Sequence, residues 1–113
     1  MKRGELWTAA GGPDYAGKPR PVLIVQDDSF DATASITICG LTSNLLEVAL
    51  VRPAIKPSPD NNLRVPSRVM VDKVTTVPRG KLGERVGVLA ASDMAQVNRA
   101  MLVFLGLAGG SSG

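Results

Sequence analysis

At 113 residues, with 44% hydrophobic and 20% charged side chains, the chain is sized for one domain with a modest core. It has no histidine and a single cysteine, Cys39; this excludes an intramolecular disulfide, argues against a zinc site and removes the usual neutral-pH acid–base side chain. The net charge of +3 is uneven: residues 1–34 hold four basic and five acidic side chains, residues 35–113 nine and five, a weak pointer to a nucleic-acid partner.

Residues 4–9 predict a first strand, with Leu6 and Thr8 on one face and Glu5 and Trp7 on the other. Residues 10–19 hold three Gly and two Pro and read as a loop. Residues 21–26, PVLIVQ, form a continuous apolar run of strand length, ended by the turn residues Asp27, Asp28 and Ser29. Residues 35–42, SITICGLT, set Ile36 and Ile38 against Thr37 and Cys39 and predict a third strand. Gly40 marks a bulge or a close backbone approach. Residues 47–51 predict a short fourth strand, and residues 53–66, with Pro53, Pro57, Pro59 and Pro66, a loop or broken edge strand.

Residues 67–77 predict a fifth strand, with Val69 and Val71 on one side and Met70, Asp72 and Val74 on the other. Residues 79–83 read as a turn, and residues 85–89 as a short strand or extended link. Residues 92–105 predict a helix, with Ser92 as N-cap, Asp93 in the first turn and an apolar stripe of Met94, Val97, Met101, Phe104 and Leu105. Gly106 stops it. Residues 1–108 then form one domain, and residues 109–113, GGSSG, a flexible tail.

Strands in series joined by turns, followed by one helix, predict a mainly β fold with an antiparallel sheet and a C-terminal α-helix; closure into a small barrel removes the sheet edges. No stretch approaches the ~20 apolar residues of a membrane helix. The opening residues lack the apolar segment of a secretory signal. The expected compartment is the cytoplasm, with no membrane partner.

Three strings carry a resemblance. Lys2-Arg3-Gly4-Glu5-Leu6-Trp7 precedes the glycine-rich loop, Lys18-Pro19-Arg20-Pro21-Val22-Leu23-Ile24-Val25-Gln26 follows it, and the third strand ends in Leu41-Thr42-Ser43. In this order they resemble the MazF/PemK family of toxin ribonucleases. The family opens with an RGEIW-like strand, carries its arginine in an RPVLVVQ-like string and closes its third strand with a PLTS-like motif. The resemblance runs from Lys2 to about Ser43, and more weakly over residues 69–77. It implies an SH3-like barrel of the CcdB/PemK-like toxin fold and a homodimer. It also implies metal-independent, sequence-selective cleavage of single-stranded RNA without any cofactor, and a cognate antitoxin whose disordered acidic segment covers the RNA groove. The family's catalytic arginine corresponds to Arg20 and its threonine to Thr42. Its Asp-Gln pair corresponds to Asp72-Lys73, and an arginine found in some members corresponds to Met70.

Cleavage of RNA by internal transfer uses the ribose 2′-OH as nucleophile, so the protein must relieve that hydroxyl of its proton, stabilise phosphoryl charge and assist the departing 5′-oxygen. Arg20, held between Pro19 and Pro21, suits the second task, because a guanidinium fork binds two phosphoryl oxygens. Thr42 suits proton or hydrogen-bond donation rather than attack, and Ser43 offers a second hydroxyl. Candidates for the base are Arg20, Asp72 and a bound water. Tyr15, beside Lys18 in the loop, is the best stacking platform for a base. Trp7 is expected to be half-core and Phe30 to pack. Lys73, Arg79, Lys81 and Arg85 form either a phosphate track or a solvated basic face, and Gln26 closes the arginine motif as a supporting residue. Two alternatives remain open: a non-enzymatic gyrase poison of the CcdB kind, which the lack of a C-terminal tryptophan opposes, and an inactive RNA- or protein-binding barrel.

Overall fold

The clean alternation of residues 35–42 yields the longest strand among the described residues, and three other strands pair with it. The structure, a computed structural model, describes residues 1–10, 19–45 and 49–108. Its elements are β1 (Glu5–Ala9), β2 (Arg20–Ile24), β3 (Ser35–Thr42), β4 (Ala54–Ile55), β5 (Ser67–Val69), β6 (Thr75–Pro78), β7 (Leu82–Val88) and α1 (Ala91–Phe104). On one edge of β3, Val22, Leu23 and Ile24 of β2 stand opposite Gly40, Cys39 and Ile38. The other edge is shared: β6 takes its first half, from Ser35 to Ile38, and β5 takes Leu41 and Thr42. All pairings are antiparallel, and the path β4-β5-β3-β2-β1-β7 forms a half-barrel.

Both faces of β2 are buried, which is why its sequence is apolar without alternation. Leu23 joins Leu6, Cys39, Leu41, Val69 and Val71 in the main core, closed by Val97 and Ala100 of α1. Val22 and Ile24 join Ile36, Ile38 and Leu82 in a second core on the opposite face, with Trp7 and Val77 packed against it. Each such fully buried aliphatic side chain contributes about 1.5–3 kcal/mol. The half-core position expected for Trp7 is observed, and its indole N–H donates to Glu5 Oε1 at 3.0 Å. No helix among the described residues is long and apolar enough to cross a membrane.

Several expectations are corrected. Residues 49–51 form a 3₁₀ turn rather than the end of a strand, and Arg52 directly after it turns its side chain inward to Asp72; residues 46–48 lie outside the described residues. The single strand expected over residues 67–77 is two strands, β5 and β6, separated by a 3₁₀ turn (Val71–Lys73). The turn begins where the Met70 N–H donates to Gly40 O at 2.9 Å, and it closes with the Val74 N–H on Val71 O at 3.2 Å. It also resets the alternation, so that Val74 packs against the same core as Val71.

The helix starts earlier than expected. Ala90, not Ser92, holds the N-cap position, without a side-chain cap. Its inner face is Met94, Val97, Ala100 and Met101, whereas Phe104 and Leu105 are 44% and 54% exposed, because the last turn runs past the core. Phe30 does not pack: the residue is 60% exposed. Its backbone, not its ring, makes the contacts: the N–H donates to Asp27 O, and the carbonyl accepts from Gln26 Nε2 and Thr33 Oγ1. The tail at 109–113 lies outside the described residues.

Residues 53–66 meet the expectation of a broken edge strand, with β4 supplying two residues and Asn61 organising the loop. The buried Asn61 amide accepts from the Ser58 and Leu63 N–H groups and donates to Lys56 O. This loop lies so close to β7 that a Cβ on Gly87 would collide with the backbone of Asp60 and Asn61. Gly87→Ala is therefore expected to destabilise the fold by about 1–3 kcal/mol, read as a lower urea midpoint; an unchanged midpoint would show that the loop yields freely.

Candidate active site

Arg20 is the first residue of β2, exposed at the strand mouth, with its backbone set by the flanking prolines and paired with Ala9 of β1. The β2–β3 register pairs Val22 with Gly40. Continued by two residues, it brings Arg20 opposite Thr42, and period-two alternation turns both side chains to the face of Val22 and Gly40. Thr42 closes β3 half-buried, and its Oγ1 accepts the Asn44 N–H at 3.1 Å. That bond orients the hydroxyl while leaving its proton to donate. Ser43 follows, exposed.

A cleft of about 360 Å³ opens beside Arg20. Arg20, Lys73 and Lys81 supply its charge, Val22, Ile38 and Met70 its apolar lining, and Gly40 and Leu41 its β3 wall, one residue short of Thr42. The structure thus brings Arg20, Lys73 and the end of β3 together. Tyr15 and Lys18 lie outside the described residues.

Asp72 is not part of the cleft wall. Its two carboxylate oxygens each take a hydrogen bond from Arg52, through Nε and Nη2, at 2.9 Å. Arg52 is nearly buried and Asp72 partly so. The hydrogen-bonded guanidinium holds the Asp72 carboxyl below its ordinary value, against a smaller opposing effect of desolvation. A carboxylate so engaged is a poor acceptor for a substrate proton. Sequence reasoning missed Arg52, and the only signal was a lone arginine in the apolar string 49–55. Arg68, opposite Thr42 on β5, fastens the same region by donating to Arg52 O at 2.7 Å and Leu45 O at 3.3 Å.

Other expected RNA-facing residues have structural partners. Arg79 donates to Thr33 O at 2.8 Å, to Asp31 O and to the Met1 sulfur. Arg85 pairs with Glu5 at 3.0 Å. Gln26 continues the β2–β3 join beyond the ladder: Oε1 accepts the Thr37 N–H at 2.8 Å, and Nε2 donates to Phe30 O at 2.9 Å. Burial pushes the Cys39 thiol up to about 12, with the charge of Asp72 adding to the effect, so it is no nucleophile.

The family model described as a PemK-like, MazF-like toxin of type II toxin-antitoxin systems matches residues 2–105. A relative from Mycolicibacterium smegmatis, named probable endoribonuclease MazF, is 54% identical over 109 residues, covering 96% of this chain and 100% of its own length. Endoribonuclease MazF6 of Mycobacterium tuberculosis is 31% identical over 106 residues, covering 89% of this chain and 93% of its own. Among solved structures, an endoribonuclease in complex with its cognate antitoxin from a mycobacterial species is similar at a TM-score of 0.80 and 25% identity, covering 95% of this chain and 96% of that one.

Removing one partner of the Arg52–Asp72 fork strands a buried charge. Asp72→Ala is expected to cost about 2–3 kcal/mol, discounted for the partial exposure of Asp72, while Arg52→Met with Asp72→Leu recovers most of it. The folded pKa of Asp72 is depressed, so its stabilisation is present above the unfolded value near ~4 and is lost as pH falls below it. Urea unfolding at pH 7 and pH 3 checks both points. The gap between wild type and Asp72→Ala narrows at pH 3; an equal gap at both values contradicts the assignment.

Proposed function

The chain belongs to the PemK-like, MazF-like toxin family, and on that premise we propose that it is a toxin endoribonuclease of a type II toxin-antitoxin system, cutting single-stranded messenger RNA in the cytoplasm with Arg20 and Thr42. The observation that carries this reading is the β2–β3 register, which supports Arg20 and Thr42 as neighbours at the mouth of a cationic cleft. Residues 1–108 act as the single toxin domain and residues 109–113 as its tail.

The reaction needs no external nucleophile. The 2′-oxygen attacks the adjacent phosphorus, the P–O2′ bond forms and the P–O5′ bond breaks. The products are a 2′,3′-cyclic phosphate and a 5′-hydroxyl. The Arg20 fork binds the two non-bridging oxygens as their charge grows. Thr42, its oxygen oriented by the Asn44 N–H, donates its hydroxyl to a phosphoryl oxygen. Ser43 offers a second hydroxyl beside it, and Lys73 binds RNA from the opposite wall of the cleft. No carboxylate among the described residues lines the cleft. An arginine does not give up its proton in proteins, so the 2′-proton passes to water, and water also protonates the 5′-oxygen. Catalysis here is stabilisation of phosphoryl charge, which a metal is not required to supply.

Two partners follow from the same reading. An acidic antitoxin segment covers the cationic cleft, as charge complementarity favours. A second copy of the chain forms a homodimer, supported by the exposed apolar side chains of Leu102, Phe104, Leu105 and Leu107 at the end of α1. The gyrase-poison and inactive-barrel alternatives are not favoured, since the matched relatives are named endoribonucleases.

Arg20→Ala and Thr42→Ala are each expected to slow RNA cleavage by about 10²–10³ with unchanged circular dichroism, and cleavage by the wild type persists in EDTA. A 2′-deoxy substitution at the cut nucleotide abolishes it. Full activity in both variants would refute the site.

A further inference from the structure

The cleft beside Arg20 has a chemical bias that the cutting step does not use. Its polar side chains among the described residues are those of Arg20, Lys73, Lys81 and Thr75. Apart from the Thr75 hydroxyl, each of these is a hydrogen-bond donor only. No carboxylate, carboxamide or aromatic ring stands among the described residues that line it. The apolar surface is aliphatic except for the Met70 thioether.

Met70 is fixed there by Gly40. Its backbone N–H donates to Gly40 O at 2.9 Å, and a Cβ placed on Gly40 would lie 3.1 Å from the Met70 Cε. A Cβ at position 40 would press the end of the thioether by a few tenths of an ångström, and glycine leaves that space open. Gly40 and Thr42 share one face of β3, about 7 Å apart along the strand, so the Met70 methyl group lies about one nucleotide's reach from the catalytic pair.

We propose that this cleft holds one base of the RNA next to the cleaved bond, its flat face on the Met70 thioether and its edge against the donor-only side chains, and that it therefore selects keto bases, uracil or guanine. The inference rests on the ribonuclease reading above. Uracil O4 and guanine O6 and N7 are acceptors that an ammonium group satisfies. The amino groups of cytosine and adenine are donors, and Lys73 and Lys81 offer them no acceptor, so a base whose amino group meets these ammonium groups leaves both sides unpaired. Discrimination of about 10–100-fold follows at that position. The thioether supplies a polarisable platform for the ring, since no aromatic side chain among the described residues lines the cleft.

The test is digestion of a random-sequence RNA pool by wild type, Met70→Ala, Gly40→Ala, the Met70→Ala/Gly40→Ala double variant and Lys81→Gln. Fragment ends are sequenced, and KM and kcat are measured on one cleaved oligonucleotide. Wild-type cut sites are expected to show uracil or guanine enriched at least about tenfold at one position flanking the bond. Met70→Ala keeps that preference but raises KM about two- to tenfold, with a smaller change in kcat. Gly40→Ala raises KM by less, through the tight contact with Cε, and the double variant is no worse than Met70→Ala, because the crowded atom is gone. Lys81→Gln introduces an acceptor and relaxes the exclusion of cytosine and adenine. Cutting with no keto enrichment at either flanking position, or an unchanged KM in Met70→Ala, overturns this inference and leaves the ribonuclease reading intact. A loss of stability and kcat with no KM change assigns Met70 a structural role and overturns it too. No cutting by the wild type overturns the ribonuclease reading and the inference together.

Discussion

Strand β2 is buried on both faces, and its register against β3 decides where every other part of the site can stand. Leu23 and Cys39 fill the main core from one face, while Val22, Ile24 and Ile38 fill the second core from the other. A slip of one residue would exchange these sets, so the register is specified twice over. The same register carries Arg20 to Thr42 at the open end of the ladder. Proline at position 21 is tolerated there because it lies at the start of the strand, where a missing N–H disturbs the ladder least.

A second constraint acts from outside the sheet. The Arg52 fork draws Asp72 away from the cleft and holds the 3₁₀ turn (Val71–Lys73) that splits β5 from β6. A buried guanidinium is tolerable only when paired and hydrogen-bonded, and Asp72 meets that need. The consequence is chemical as well as structural. With Asp72 engaged, the cleft keeps its cations and no carboxylate among the described residues lines it, which suits the proposed stabilisation of negative charge. Met70 and Lys73, on either side of Val71 and Asp72, are left lining the cleft.

What could be read in the sequence depended on how far each residue's partners lay along the chain. Strand β3 follows from local alternation, and its predicted bounds of residues 35–42 coincide with those observed. The apolar run of β2 was equally legible, though not the reason for it, a core on each face. The break at residues 71–73 was not legible, because it depends on Arg52, twenty residues earlier in the chain. The alternation of Val69, Met70, Val71 and Asp72 carries no trace of it. The helix was found, but its buried face was set by where α1 crosses the core, so Ala100 replaces Phe104 and Leu105. The proposed roles of Arg20 and Thr42 rest in the sequence on the family motif alone; by composition they are an exposed arginine and a strand-end threonine. Gly40 reads in the sequence as a bulge or a close backbone approach, and the Met70 thioether is the neighbour it accommodates.

The proposed arrangement of Arg20 and Thr42 around one phosphate is open to direct observation. The decisive measurement is a crystal structure of the chain with a cleavable RNA oligonucleotide carrying a 2′-deoxy sugar at the cut nucleotide. The expected result is the scissile phosphate within hydrogen-bond distance, about 3 Å, of both the Arg20 guanidinium and Thr42 Oγ1. An RNA strand bound with that phosphate elsewhere, on the outer basic surface near Arg85 for example, would contradict it.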